Sequence, residues 1–345
     1  MKFSLFAHME QHAEDGANAA LYEEFISLCK LADEGGMHAV WSGEHHAMNF
    51  TIAPNPFMTI ADLARRTKNV RLGTGTIVAP FWHPLKLAGE AAMADIICGG
   101  RLEVGIARGA YSYEYERLRP GMDAMEAGRR MREIIPAVQK LWEGDYAHEG
   151  EFFQFPSATS SPRPEKPPPL WVAARDQNTH DFAVANGCHV QVTPLWLGLA
   201  EVESLMEKFN AACANNNARR KIMILHHAFV GASEAEADEA ARALSRFYCY
   251  FGAWFQNKRP VRRGKIAPLS DAEMAGMKMY APAEMRKNLV VGTAREVVER
   301  LRRYEDLGYD EFSYWADSGM SAEQKRVSLL RFMDEVMPKF SQTKT

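Results

Sequence analysis

The chain has 345 residues, of which 47% are hydrophobic and 25% charged, and this is enough apolar sequence to bury a large core. Its formal net charge of -3 gives no electrostatic reason to expect nucleic acid or an anionic membrane surface as a partner. The five cysteines have irregular spacing, which predicts neither a disulfide framework nor a Cys-x-x-Cys zinc site and favours a cytoplasmic location. We also expect no cleaved leader and no membrane-spanning segment.

Short apolar runs rich in β-branched residues alternate along the chain with segments of helical periodicity. Parallel strands that are covered on both faces read as nearly continuous apolar runs, so the alternation predicts a (β/α)8 barrel. A doubly wound open sheet has the same alternation and stays as the alternative. The predicted strands cover residues 2–8, 39–45, 70–79, 102–108, 170–175, 189–194, 221–230 and 311–317.

Two connections, residues 109–168 and 252–292, are longer than ordinary βα loops. Both leave from the carboxyl end of a strand, which is the face where barrel enzymes keep their active sites. We therefore expect one domain over residues 1–345 with insertions after strands 4 and 7, and the segment 252–292 as an active-site lid.

The carboxyl ends of the predicted strands carry many polar side chains. A lone histidine in such a place is more often a hydrogen-bonded structural group, but a polar set on one rim favours a functional site. Neighbouring histidines on a strand point to opposite faces, so neither His45 with His46 nor His226 with His227 is expected to bind one metal ion. The set comprises His8, Glu44, His45, His46, Thr76, Arg108, Tyr111, Arg175, Asp176, Thr193, His226, His227 and Trp315.

The run GTGTIV at residues 73–78 has two of the glycines of a dinucleotide-binding loop but lacks the third, and it continues as a strand. It is therefore a weak phosphate signal, although its small residues allow a flat group to approach the backbone closely. Arg108 and Arg175 suit a phosphate, and Thr179 lies at the start of a helix, where free N–H groups attract anions. Alternatively, these arginines form rim salt bridges with Asp176 and Glu103.

Several motifs, taken in their order and spacing, resemble the luciferase-like flavin-dependent monooxygenases, whose best-known member is the alpha subunit of bacterial luciferase. The resemblance extends over nearly the whole chain and is carried by EHH at 44–46, NPF at 55–57, GTGTIV at 73–78, GGRLEVGIARGAY at 99–111, LWVAARDQNT at 170–179, VVGTAREVVERL at 290–301 and the closing DEVMPKF.

The resemblance implies a (β/α)8 barrel and assigns roles to residues at its rim. His45 corresponds to the family's active-site histidine, and Glu44 is expected either to orient it or to bond the strand-end backbone. Gly75 and Thr76 correspond to a non-proline cis peptide against the flavin ring. Cofactor-binding roles are implied for a further set of residues: Arg108, Tyr111, Arg129 or the neighbouring Arg130, Arg175 and Thr179.

Two departures limit what the resemblance implies. Arg175 and Asp176 stand where the luciferase subunit has a Glu and a Ser, and an Asp there repels a phosphate unless it is paired. Ala107 stands in place of luciferase's reactive cysteine. Luminescence is therefore not expected, and an aldehyde substrate is not implied.

The implied activity is oxygenation of a small organic substrate with O2 and reduced FMN, in which the cofactor supplies the difficult chemistry and His45 handles a proton. Because no Rossmann fingerprint occurs, a separate NAD(P)H-dependent flavin reductase is expected to supply the reduced flavin. Helix 85–97 is rich in small residues, and the family commonly forms homodimers there, although a helix packed on the barrel has the same composition. A deazaflavin-dependent hydride-transfer enzyme and a non-catalytic flavin-binding protein remain as alternatives.

Overall fold

A computed structural model describes residues 1–11, 17–317 and 319–340. Eight parallel strands form a closed barrel, because each strand pairs with the next in the chain and the eighth pairs with the first. The predicted barrel is thus confirmed, and the open sheet is excluded. The strands are β1 (Lys2–Phe6), β2 (Ala39–Ser42), β3 (Arg71–Val78), β4 (Leu102–Ala107), β5 (Leu170–Ala173), β6 (His189–Val192), β7 (Ile222–Gly231) and β8 (Glu311–Trp315).

Helices surround the barrel and form its outer layer. They are α1 (Asn18–Glu34), α2 (Pro56–Arg66), α3 (Pro84–Cys98), α4 (Ser112–Leu118), α5 (Ala124–Glu143), α6 (Gln177–Ala185), α7 (Leu199–Asn215), α8 (Glu234–Gln256), α9 (Asp271–Gly276), α10 (Pro282–Asn288), α11 (Ala294–Leu307) and α12 (Ala322–Arg331). None of the described helices is both long enough and apolar enough to cross a membrane.

Successive residues of a strand serve two different cores, as the two-residue period of a β-strand requires. Leu5 and Val40 face the helix layer and belong to the core between barrel and helices. Phe6 and Trp41, the next residues along, face the barrel interior and belong to a second, aromatic core. Both faces of the strands are therefore apolar, which explains why the strands are recognisable in the sequence.

The lower half of the barrel interior is closed by two tryptophans bonded to buried carboxylates. The indole N–H of Trp41 donates to Glu311 over 3.0 Å, and that of Trp171 donates to Glu103 over 2.7 Å. A Cβ atom on Gly73 would lie 2.1 Å from the ring of Trp41, so the indole fits only because residue 73 is glycine. This closed half supports the open end, where the strands terminate.

The two long insertions lie after β4 and β7, as predicted. The first contains α4, α5 and a hairpin of Tyr146–Glu149 with Gln154–Ala158. The second extends from α8 through a small hairpin, Val261–Arg262 with Lys265–Ile266, to α10. It then returns as Val290–Thr293, which pairs with the end of β7 before α11 begins.

Candidate active site

At the carboxyl end of the barrel, His45 is held by a carboxylate from a distant part of the chain. Its Nδ1 lies 3.0 Å from Oε2 of Glu114, in the first turn of α4. The other oxygen of Glu114 accepts a hydrogen bond of 2.7 Å from the backbone N–H of His46. Glu114 is almost fully buried, and 12% of the His45 side chain is exposed. The pairing fixes the imidazole and leaves Nε2 without a hydrogen-bond partner among the described residues.

Glu44 does not contact the ring of His45 but organises the ends of β2 and β3. Its carboxylate accepts hydrogen bonds from the backbone N–H of Val78, at 2.9 Å, and from the indole of Trp82. It also pairs with Nε2 of His46 at 2.7 Å. Burial lowers the pKa of His46, but the hydrogen bond and charge of Glu44 outweigh burial and raise it. Of the two roles expected for Glu44, the geometry shows bonding to the strand-end backbone.

The neighbouring histidines turn to opposite sides, as strand geometry predicts. His226 bonds the hydroxyl of Tyr304 in the helix layer at 2.9 Å, whereas His227 stacks on Trp315 in the barrel interior with ring centres 3.8 Å apart. No group of three or more metal-ligating side chains occurs in the described part of the chain. The two histidines of β7 thus belong to two different layers of the barrel.

The peptide bond between Gly75 and Thr76 is cis, at the position that the resemblance indicated. It lies where the register of β3 against β4 shifts, between Thr74 and Ile77. There the hydroxyl of Thr74 both donates to the carbonyl and accepts from the N–H of Gly105, at 2.8 Å each. The next strand ends also carry short, partly exposed residues, Ala107, Ala173 and Thr193. Together with Gly75 and Thr76, these residues form a platform with room for a flat ring.

Beside this platform, two arginines meet across a glycine. A Cβ atom on Gly128 of α5 would lie 3.3 Å from Nη1 of Arg132 and 4.0 Å from Cδ of Arg108, so the glycine leaves room for both side chains. Arg132 also donates to the hydroxyl of Thr179 over 3.3 Å. Guanidinium groups beside a hydroxyl at the start of α6 suit a phosphate. Arg132 thus links Thr179 to the part of α5 that the side chain of Arg108 also approaches.

Two arginines with expected phosphate roles form ion pairs with carboxylates. Arg129 is half-exposed and pairs with Glu151 at 3.2 Å, while Arg175 pairs with Glu201 at 2.9 Å. Asp176 caps α6 by accepting from the N–H and hydroxyl of Thr179. Burial raises the pKa of Asp176, but these hydrogen bonds and Arg132 outweigh it and hold that pKa below its usual range. Its charge is therefore stabilised by donors of Thr179 and by the nearby Arg132.

An aromatic cluster covers His45. Phe50 and Tyr111 lie with their ring centres 5.1 Å and 5.3 Å from that of His45. Phe255, from the second insertion, packs on Tyr111 at 5.3 Å and is 44% exposed at the entrance. Burial, and then the nearby Glu114, raise the pKa of Tyr111 well above its usual range, so its hydroxyl stays protonated. The cover is therefore apolar apart from neutral hydroxyl groups.

Glu114 and Arg132 are the site residues that sequence reasoning missed. Glu114 lies only three residues beyond Tyr111, and Arg132 lies one helical turn after Gly128 on the same face of α5. A search for polar residues in the insertion that follows β4, rather than at the strand ends alone, could have found both.

Comparison with known proteins identifies the family. A family model for luciferase-like monooxygenases matches residues 1–311. The oxygenase component of a flavin-dependent trigonelline monooxygenase from Acinetobacter baylyi is 62% identical over 348 residues, which cover 100% of this chain and 97% of that protein. This chain belongs to the luciferase-like monooxygenase family. It is accordingly a flavin-dependent monooxygenase, and the non-catalytic alternative is excluded.

Solved structures of other monooxygenases have the same fold as this luciferase-like monooxygenase. The monooxygenase RslO1 from Streptomyces bottropensis has a TM-score of 0.82 at 27% identity and covers 99% of this chain and 100% of its own. The oxygenating constituent of 3,6-diketocamphane monooxygenase from Pseudomonas putida, solved with FMN, has a TM-score of 0.80 at 20% identity and covers 99% of both chains. The second likeness concerns the fold alone.

The residues of this luciferase-like monooxygenase fit a flavin mononucleotide. The platform of short residues matches a flat ring system, and the guanidinium groups of Arg108 and Arg132, beside Thr179, offer donors for a phosphate. A Cβ atom at Gly128 would crowd the guanidinium of Arg132, so the glycine gives this side chain room beside Arg108. The donor set and the open platform therefore suit both ends of such a cofactor.

Proposed function

We propose that this protein is the oxygenase component of a two-component system that uses reduced FMN and O2 to oxygenate trigonelline or a close pyridinium carboxylate. The 62% identity with the trigonelline monooxygenase component, along all of this chain, carries the proposal. Trigonelline is a flat N-methylpyridinium ring with one carboxylate, and its size and shape suit a site between a ring platform and an aromatic cover. Aromatic faces also attract ring cations.

Reduced FMN, when bound, supplies the electrons with which one oxygen atom of O2 enters the substrate and the other leaves as water. Arg108, Arg132 and Thr179 would hold the phosphate, and Gly75 and Thr76 would support the flat ring. His45 takes or gives a proton at Nε2, while Glu114 on Nδ1 holds the imidazole in one orientation. Phe50, Tyr111 and Phe255 exclude water from the reacting atoms.

The reduced flavin comes, in this proposal, from a separate NAD(P)H-dependent flavin reductase. The related protein is itself described as an oxygenase component, which supports a second component. The absence of a Rossmann fingerprint from this sequence agrees with that division. A deazaflavin enzyme of hydride transfer is less well supported, because deazaflavin-dependent structures resemble this chain at only 17% and 18% identity.

The segment 252–292 is proposed as a lid within one domain formed by residues 1–345. Its first residues bond the rim: Trp254 donates to Asn49 over 3.2 Å, and Asn257 donates to Ser112 over 3.0 Å. The carbonyl of Gly264 accepts from the N–H of Asn49 at 2.7 Å. The contacts with Asn49 join the segment to the loop that follows His45 and His46, and the contact with Ser112 joins it to α4.

A homodimer through α2 and α3 is also proposed. The small residues of α3, among them Ala88 and Ala91, are buried inside the chain. The exposed apolar side chains of these helices are larger: Met58 is 72% exposed and Ile96 is 58% exposed. Met93, Ile96 and Ile97 are all exposed near the end of α3, and clustered exposed apolar side chains are typical of an interface. Sedimentation of an Ile96→Asp variant tests it, since a dimer built on this patch becomes monomeric and a protein of unchanged mass contradicts the proposal.

The function is tested by supplying the purified protein with FMN, a flavin reductase, NADH and trigonelline under isotopically labelled O2. We expect one labelled oxygen atom in the product and consumption of O2 that depends on trigonelline. As a matched control, 3-methylbenzoate has the same shape without the ring charge and should be oxygenated more slowly. Peroxide release without a labelled product would contradict the substrate, and failure to bind reduced FMN under anaerobic conditions would contradict the cofactor.

A further inference from the structure

A second imidazole, His8, lies beside His45 at the end of β1. The two ring centres are 5.6 Å apart, and Phe50 packs against both rings. Only 8% of His8 is exposed, and its Nδ1 is enclosed without a hydrogen-bond partner. Neither ring nitrogen of His8 bonds to another described residue. Enclosed polar groups without a partner are uncommon in folded proteins and need a reason.

The ring of His8 is held in one orientation by its neighbours. Phe6 lies 4.7 Å from it, and Trp315 lies 5.7 Å from it, both edge to face. On a further side, a Cβ atom at Gly43 would lie 2.7 Å from Cε1 and 3.0 Å from Nδ1 of His8. That same point is 3.3 Å from the carbonyl oxygen of Gly75, which belongs to the cis peptide. The Nδ1 edge is therefore enclosed beside the platform, and the edge with Nε2 is the one that can meet a ligand.

Two carboxyl groups near the mouth are already engaged. Glu114 bonds His45 and the backbone of His46. Asp317 accepts from the backbone N–H of His8 and from the indole of Trp315. Burial, and then His45 and His227, hold the pKa of His8 well below its usual range. His8 thus presents an uncharged imidazole with unused hydrogen-bonding capacity to the space beside His45.

We propose that His8 recognises the substrate, and that in its Nε2–H form it donates a hydrogen bond to the carboxylate of the pyridinium ring. This inference rests on the function proposed above. It adds the residue that selects a substrate with a carboxylate on its ring. A carboxylate is the one oxygen-bearing substituent of trigonelline, and a donor locked in place loses little freedom on binding. With the carboxylate at His8, the ring lies against Phe50 and close to His45.

The test compares two ligands and matched variants of the flavin-loaded protein by calorimetric titration. Trigonelline has a carboxylate where 1-methylnicotinamide has an amide, and the rings are otherwise alike. We expect the His8→Leu variant to bind trigonelline about tenfold more weakly, while 1-methylnicotinamide changes by less than about threefold, because hydrogen bonds to charged acceptors are the stronger ones. His8→Gln retains an N–H donor and should bind trigonelline within about threefold of the unaltered protein.

His38→Leu is the control, because His38 lies beside Lys2 at the opposite end of the barrel, and its substitution should change neither affinity. If the leucine variant loses flavin, His8→Met provides the flexible apolar replacement. If the His8→Leu variant binds both ligands more weakly to the same degree, or binds neither more weakly, the role of His8 is overturned while the proposed substrate stands. If the unaltered protein fails to bind trigonelline, the proposed substrate is wrong, and the proposed recognition of its carboxylate by His8 is wrong as well.

Discussion

The two ends of the barrel use similar residues for different purposes. In the lower half, the buried carboxylates of Glu103 and Glu311 each accept a hydrogen bond from an indole, so their polar atoms are used inside the fold. At the mouth, His8 and Nε2 of His45 have no such partners among the described residues. Internal partners contribute stability, whereas unused donors and acceptors beside a platform of short residues are available to a ligand. The comparison separates groups that hold the barrel together from groups whose hydrogen-bonding capacity remains unused.

The largest effect is expected for His45→Ala at the mouth. Removing a group that transfers a proton in the rate-determining step should lower product formation by about a hundredfold or more. Binding of reduced FMN, measured by anaerobic titration, should persist because the phosphate donors lie elsewhere. His46→Gln is the control, since its amide can still bond Glu44 and its ring does not face His45. Unchanged turnover with intact flavin binding would remove the catalytic role of His45.

A smaller loss is expected for Glu114→Gln, which retains the shape of the side chain. A neutral amide orients and supports the imidazole less well than a carboxylate does, and losing such a partner should lower kcat by about thirtyfold. KM for the substrate should change little, because Glu114 is buried behind His45. Steady-state kinetics separate the two constants. A rise in KM at constant kcat would show that Glu114 shapes the binding site instead.

Flavin affinity distinguishes two arginines of α5. Arg132→Ala should weaken FMN binding by about tenfold, because it removes a charged donor beside Thr179. Arg129→Ala should have little effect, because Arg129 is half-exposed and pairs with Glu151. Quenching of FMN fluorescence on titration measures both dissociation constants. If Arg129 proves the more important of the two, the phosphate lies on a different face of α5 from the one proposed.

The smallest effect is expected at the closed end of the barrel. Burial raises the pKa of Glu311 to about 7 in the folded protein. The folded state then binds a proton more tightly than the unfolded chain, in which the pKa has its ordinary value of 4.5. The contribution of Glu311 to stability therefore declines as the pH rises from the unfolded pKa to the folded one. Glu311→Gln should remove that decline and stabilise the protein by about 1 kcal/mol at about pH 8 relative to about pH 5. Urea unfolding at both pH values measures the difference, and an identical pH dependence in both proteins contradicts it.

The fold was largely predictable because its signals are local. Each of the predicted strands overlaps a barrel strand. A strand covered on both faces needs a continuous apolar run, whereas the helices between the strands need apolar residues at helical spacing. The insertions after β4 and β7 were visible as connections too long for ordinary loops. The cis peptide at Gly75 and Thr76 was found through motif resemblance, and not through periodicity.

The sequence by itself determined the barrel, its insertions, the family and the place of His45. Only the tertiary structure decided which side chains meet there. Glu114 and His45 are 69 residues apart, and Arg132 and Thr179 are 47 apart. Their contacts depend on how α4 and α5 pack against the rim: Arg129 and Arg132 are only three residues apart on α5, yet one pairs with Glu151 and the other bonds Thr179. Such contacts join distant parts of the chain through the packing of the whole barrel, which no local pattern of residues specifies.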